Sequence, residues 1–130
     1  MAPTAVAIAE QAIDAWNHGQ LERLLWLTDD EVILRHPAGW PEPGPSRGLD
    51  EMRRQLESVA DQWAQNEIEP LEYRTVGERV VVPARWTAAG GRSQAPVDMT
   101  FTLVFTVRRS RIAALGVYGE DEPLPAPLKR

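Results

Sequence analysis

The sequence contains no cysteine, which excludes disulfide bonds and thiolate metal sites. Its two histidines, His18 and His36, belong to no His-x-His or Glu-x-x-His motif, so we expect no metal site. A Gly-x-Ser-x-Gly nucleophile motif is also missing. The Gly-Gly-Arg segment at 90–92 is typical of a hairpin turn, because no helix follows that could bind a phosphate. These absences predict a protein without a cofactor.

Long apolar runs and an excess of basic residues are missing as well. No apolar run approaches the roughly 20 residues that cross a bilayer. The opening segment MAPTAVAIAE lacks the basic stretch of a signal peptide. A net charge of −5 and a pI near 5.0 argue against binding to nucleic acid. We therefore expect a soluble, cytoplasmic protein with neither a membrane nor a nucleic-acid partner.

What remains is the composition of one globular domain. Of the 130 residues, 43% are apolar and 25% are charged, which suffices for a hydrophobic core. Apolar residues at three- and four-residue spacing predict helices near the start of the chain and over 52–63. We expect a single domain over residues 1–130, with a core of about 5–122 and a proline-rich C-terminal segment over 123–130.

From residue 67 onward the pattern changes to that of β-strands joined by short connections, as between antiparallel neighbours. Helices followed by a sheet define the α+β class. We expect N-terminal helices packed on a curved antiparallel sheet, in a half-open cone that encloses a pocket. In one strand the apolar residues occupy the odd positions from Met99 to Val107, so one face is expected to be buried. Pro83, inside another strand, predicts a bulge or an edge there.

The segment RHPAGWPEPGPSRG, residues 35–48, is unusual and is called the proline arm below. Its four prolines fix φ, so we expect the arm to be ordered despite its length. Trp40 is predicted to pack at the rim of the pocket, either as a wedge that holds the arm down or as a lid. We expect His36 to lie close to the interior and Pro43–Ser46 to be exposed. His36 either caps a turn or performs acid–base chemistry, which suits imidazoles because they titrate near neutral pH.

The candidate catalytic residues are His36, Arg85 and Asp98. A buried Arg85 would need a carboxylate or a ligand anion, whereas an outward-facing Arg85 would pair across strands. Asp98 shares its parity with the threonines of its strand. If the odd face of that strand packs on the helices, Asp98 points to the other side and is not catalytic. A bulge at Pro83 would shift the parity of Arg85.

Aromatic residues supply the candidate lining of the pocket. Tryptophans at helical spacing are typical of a core, but core and pocket are continuous in a cone. A pocket of this kind favours a flat apolar molecule over a sugar or a nucleotide. The predicted lining residues are Trp16, Trp26, Trp40, Phe101 and Tyr118.

Three segments carry a resemblance to a known family: GWPEPGPSRGLDEMRRQLESVADQW, VGERVVVPARWTAAGGRSQAPV and FTVRRSRIAALGVYGEDE. In this order they resemble the SnoaL-like branch of the nuclear transport factor 2-like superfamily, over roughly residues 5–122. The resemblance implies a cone-shaped barrel with a deep apolar pocket, often in a homodimer packed through the sheet. Relatives include polyketide cyclases, ketosteroid isomerases and limonene epoxide hydrolases.

No catalytic set of these relatives is matched in full. Limonene epoxide hydrolases carry an arginine and an aspartate two residues apart; Arg85 corresponds to the first, but Thr87 stands in place of the second. The tyrosine and two acids of ketosteroid isomerases have no counterparts beyond Tyr118 and Asp98. Cyclases use an aspartate or a His–Asp pair, for which Asp98, Asp121 and His36 are the candidates.

Three functions follow from the sequence. The first is binding of a small apolar molecule of cyclic or polyketide-like type, without an assigned reaction. The second is an isomerase, cyclase or epoxide hydrolase that uses an acid–base residue in the pocket. The third is a non-catalytic dimer module. Incomplete catalytic sets favour the first and third together. We also expect a homodimer through the sheet, because either face of the sheet carries apolar residues.

Overall fold

The computed structural model describes residues 3–40, 44–92 and 95–129. Within them, the helices are α1 (Ala5–Asn17), α2 (Leu21–Trp26) and α3 (Leu49–Gln62), and a 3₁₀ turn spans Ala126–Leu128. The strands are β1 (Thr28–Arg35), β2 (Ser46–Arg47), β3 (Gln65–Pro70), β4 (Arg74–Val76), β5 (Arg79–Ala89), β6 (Val97–Arg108) and β7 (Arg111–Gly119). None of the helices in these described ranges is long and apolar enough to cross a membrane.

The strands form one curved, unclosed sheet against which the helices pack, so the predicted α+β class is confirmed. The strand order is β2-β1-β7-β6-β5-β3, and β4 also pairs with β5. One pairing differs from the predicted antiparallel sheet. β1 and β7 run parallel, with Leu34 opposite Leu115, and the sheet is therefore mixed. No hairpin joins these two strands, so no tight turn imposes the antiparallel direction on them.

Pro83 lies in β5 without the predicted bulge towards β6. The register between β5 and β6 is unbroken from Arg79 to Ala88, with Pro83 opposite Thr102. On its other edge, β5 pairs with β4 up to Val81 and with β3 from Ala84 onward. Pro83 occupies the gap between these partners, where a strand position needs no N–H donor. The parity along β5 is therefore not shifted.

The inner face of the sheet packs on the helices and forms the main core. Even positions of β5 and odd positions of β6 face inward, as the alternation predicts for β6. Ile8 on α1 and Met52 on α3 are fully buried against this face. Burial of a side chain of this size contributes roughly 1.5–3 kcal/mol to folding. The inner face thus provides the apolar surroundings from which a pocket can form.

The C-terminal segment is ordered because it packs on the outer face of the sheet. Leu128 is 1% exposed and contacts Val81 and Val104, which point away from the helices. Tyr118 joins this second cluster, and Arg74 Nη2 donates a hydrogen bond to the Leu128 carbonyl at 2.5 Å. The C-terminal segment therefore covers part of the outer face of the sheet. The sequence analysis expected a dimer contact through the sheet.

Candidate functional site

An apolar cavity of about 150 Å³ lies between the helices and the inner face of the sheet. Ile13 and Trp16 of α1 and Leu56 of α3 contribute to one side, and Phe101 and Leu103 of β6 contribute to the other. An engineered cavity of this size in another protein stays dry and binds benzene. The cavity therefore has room for one ring-sized apolar group.

Two tryptophans present ring surfaces to this cavity while their N–H groups are bound elsewhere. Trp86 stacks on Phe101, with centroids 6.2 Å apart. The Nε1–H groups of Trp16 and Trp86 donate to Asn66 Oδ1, at 3.3 and 2.6 Å. Because Asn66 satisfies both donors, the indoles offer apolar surface to the cavity. Trp86 belongs to the inward set of β5, and its parity is the sequence signal that identifies it.

The proline arm closes one rim of the cavity. His36 and Trp40 both line it, and their rings stack at 6.0 Å with an interplanar angle of 7°. Trp40 is 37% exposed, so its ring touches both the cavity and solvent. This is the rim position predicted from the sequence. Within the stretch predicted to be exposed, Pro43 lies outside the described residues, Gly44 and Pro45 are exposed, and Ser46 is half-buried.

A chain of hydrogen bonds links the proline arm to α3 beside the cavity. His36 Nε2 lies 3.2 Å from Ser46 Oγ, which also accepts from Gln55 Nε2 at 2.6 Å. Gln55 Nε2 donates in addition to Glu51 Oε1 at 3.0 Å. Hydrogen bonds from Arg54 and then Gln55 lower the pKa of Glu51 to about 2, so this carboxyl is ionised at neutral pH.

The sequence analysis did not identify Gln55 as a cavity residue, although its position in the helix pattern could have indicated it. Gln55 lies on the same helical face as Met52 and Val59, where the spacing of apolar residues predicts another apolar residue. Its side chain lines the cavity and the residue is 7% exposed. A polar residue on an apolar helix face is thus the clue that points to Gln55. Among the described lining residues, His36 is the one with an ionisable side chain.

Glu122 holds the base of the proline arm. It forms an ion pair with Arg35, and its Oε1 accepts from the N–H groups of Ala38 and Gly119 at 3.2 and 3.1 Å. Arg35 lies over the Tyr118 ring at 3.9 Å. The hydrogen bond from Arg35, followed by those from the two backbone N–H groups, lowers the pKa of Glu122 to about 2. These contacts connect the start of the arm to the end of β7.

Arg85 and Asp98 do not join His36 at the cavity. They form a two-pronged ion pair with each other on the outer face, Nε to Oδ1 at 2.8 Å and Nη2 to Oδ2 at 2.7 Å. Their side chains are 51% and 61% exposed. Asp98 borders a separate open cleft of about 770 Å³. Because the parity of β5 is unshifted, the outward alternative for Arg85 holds, and this geometry gives neither residue a place in a shared catalytic set with His36.

Two of the predicted lining residues lie elsewhere. Trp26 is 75% exposed, because Leu24 and Leu25 already occupy the inward side of the short helix α2. Tyr118 lies on the outer face beneath Arg35, since its parity on β7 is opposite to that of the lining residue Val117. Trp16, Trp40 and Phe101 do line the cavity. The shortness of α2 explains the position of Trp26, and the even position along β7 explains that of Tyr118. Aromatic content alone specifies neither.

No cluster of three His, Asp or Glu side chains that could hold a metal ion occurs in the described ranges. The sequence of residues 9–115 matches the family model of the SnoaL-like domain. The chain therefore belongs to the SnoaL-like domain family, and the resemblance to that family stated above is confirmed. No curated protein matches the sequence.

Solved structures share this fold at low sequence identity. A protein of unknown function with a cystatin-like fold from Xanthomonas campestris is 16% identical, with a TM-score of 0.82 over 92% of this chain and 93% of its own. TerC, co-crystallised with polyporic acid, is 18% identical, with a TM-score of 0.77 over 89% and 91%. An LEH-like epoxide hydrolase from M. tuberculosis is 16% identical, with a TM-score of 0.74 over 89% and 82%. At these identities the likeness establishes the fold alone.

Replacing Glu122 with glutamine should destabilise the protein at neutral pH by roughly 1.5–3 kcal/mol, the range for hydrogen bonds to charged groups. The folded-state pKa lies below the ordinary value of 4.5, so the stabilisation is present above that value and lost as the pH falls towards 2. Urea unfolding across this pH range should show the difference between wild type and Glu122→Gln shrinking with acidity. Glu120→Gln, at an exposed neighbour, serves as the control. A difference that is constant with pH would contradict the assigned role of Glu122.

Proposed function

We propose that this SnoaL-like chain binds a small, largely apolar ring compound in the cavity behind Trp40. The observation that carries the proposal is the lining itself. Ring surfaces of Trp16, Trp86 and Phe101 face a cavity of about 150 Å³, and the indole N–H groups donate to Asn66 outside it. Lining of this kind favours apolar rings over sugars and nucleotides.

The size of the cavity narrows the ligand further. A volume of about 150 Å³ suits one ring with small substituents better than the fused rings of a large polyketide. The co-crystallisation of TerC with polyporic acid is consistent with small-molecule binding on this fold, although it concerns that protein. A single ring is therefore the ligand class we favour among the cyclic and polyketide-like molecules expected from the sequence.

Acid–base catalysis is the second candidate, because His36 lines the cavity and can exchange a proton with a bound molecule. Hydrolysis of an epoxide by an arginine and an aspartate is not favoured, since Arg85 and Asp98 pair on the outer face. A proton transfer performed by His36 alone is the form of catalysis that the lining residues support.

Homodimer formation through the sheet is also part of the proposal. The outer face presents the small side chains of Thr102 and Ala114, beside Ile33, which is 39% exposed. Such a surface lets two sheets approach closely. The C-terminal segment covers Val81 and Val104, which lie between these positions, so it would form part of this interface.

Trp40→Ala should weaken the binding of fluorobenzene, a single apolar ring, by about five- to tenfold, because the mutation removes one side of the rim. The free energy of unfolding should fall by less than about 2 kcal/mol, whereas loss of a core tryptophan costs about 3–5 kcal/mol. Calorimetric titration and urea unfolding measure the two effects. Trp26→Ala removes an exposed indole outside the cavity and should leave the affinity unchanged. A large loss of stability with unchanged affinity would show that Trp40 is a wedge and not a lid.

If binding is the whole function, the protein should leave a small ring ketone with a β,γ double bond unchanged. Proton transfer by His36 would instead move a proton from the α to the γ carbon and produce the conjugated ketone, which absorbs in the ultraviolet. Turnover by the wild type, abolished in His36→Gln while fluorobenzene still binds, would establish catalysis as the function.

Sedimentation at micromolar concentration should show a dimer. Ala114→Arg, which places a charged side chain on the outer face, should shift the protein to a monomer, because an unpaired charge in an interface is costly. Leu71→Arg introduces the same charge at a residue that is 57% exposed beyond β3 and should leave the dimer intact. A wild-type monomer would refute the expected assembly.

A further inference from the structure

Gln55 lines the apolar cavity with a hydrogen-bonding capacity that the protein leaves unused. The residue is 7% exposed, and its Oε1 has no hydrogen-bond partner among the described residues. A buried carbonyl oxygen without a partner destabilises the folded state, because it has lost its hydrogen bonds to water. Buried polar atoms of this kind are rare in folded proteins, and each one needs an explanation.

The orientation of the Gln55 amide is fixed by its neighbours. Glu51 Oε1 lies 3.0 Å from Nε2, and an ionised carboxylate only accepts hydrogen bonds. The atom that faces Glu51 must therefore be the NH₂ group. A flipped amide would set Oε1 against the carboxylate and lose the donation to Ser46 Oγ at 2.6 Å as well. The carbonyl oxygen of Gln55 is thus held as the unpaired acceptor.

We propose that Gln55 Oε1 accepts a hydrogen bond from an O–H or N–H group of the bound molecule and so acts as a specificity-determining residue. The inference rests on the proposed function and deepens it: the ligand is a single apolar ring that carries one hydrogen-bond donor, such as a phenol. The other lining residues in the described part of the chain are apolar or belong to the rim at His36 and Trp40.

The proposed selectivity between ligands depends on which ligand atom would contact the unpaired oxygen of Gln55. A phenolic hydroxyl completes its hydrogen bond, whereas a ring without a donor leaves Oε1 buried and unpaired. Sites built around a hydrogen bond reject analogues that lack it more strongly than an apolar pocket rejects a change of size. A ring whose polar group is only an acceptor would place two oxygen atoms in contact and bind poorly.

Phenol and fluorobenzene test the inference, because they are similar in size and differ in whether they carry a donor. Calorimetric titration of the wild type should show phenol binding about tenfold more tightly, although fluorobenzene is the more apolar molecule. Gln55→Met keeps the length of the side chain and should abolish this preference. Gln62→Met makes the same substitution at an exposed position of α3 and should retain the preference.

The outcomes separate this inference from the proposed function. Binding of both probes with equal affinity, or tighter binding of fluorobenzene, would overturn the role of Gln55 and leave the apolar cavity as the binding site. A preference that persists in Gln55→Met would assign it to another group, such as the Ser46 hydroxyl, and also overturn the inference. If neither probe binds the wild type, the proposed function fails together with it. The wild-type comparison decides the matter even if Gln55→Met does not fold.

Discussion

The unbroken register between β5 and β6 is the constraint on which the site depends. Side chains alternate between the two faces of a strand, so one inserted residue would exchange every inward side chain for an outward one. Because Pro83 falls in the gap between β3 and β4, the chain accommodates it without a bulge. Trp86 and Phe101 therefore meet inside the cone, while Arg85 is held outside it.

Two amide side chains near the cavity differ in which of their hydrogen-bonding atoms are used. Asn66 Oδ1 accepts from two indoles, which allows Trp16 and Trp86 to be partly buried without unpaired N–H groups. The amide of Gln55 is used on its donor side by Ser46 and Glu51, and its acceptor has no partner in the described part of the chain. The first amide binds the two indole N–H groups outside the cavity, and the second carries the acceptor that we propose for the ligand.

Much of the fold could be predicted from the sequence, because it depends on local patterns. The α+β class and the inward odd positions of β6 follow from periodicity, and the rim position of Trp40 follows from the stiff arm that carries it. Long-range contacts carry no such local signal. The parallel pairing of β1 with β7 and the bond between Asn66 and two distant indoles depend on how separate segments meet. The predicted positions of Trp26 and Tyr118 in the pocket lining were wrong, because aromatic content does not specify which face of a helix or strand a residue occupies.

The polarity of the cavity also bears on the choice between binding and catalysis. Enolisation of a ketone builds negative charge on oxygen, and enzymes stabilise such charge with hydrogen-bond donors. Gln55 offers an acceptor instead, and the indole N–H groups are engaged by Asn66. His36 could transfer a proton, but the described lining residues include no Asp or Glu that could act as a second acid–base group. A cavity with one acceptor among ring surfaces suits a donor-bearing ring better than an oxyanion, and for this reason we propose binding rather than catalysis as the function.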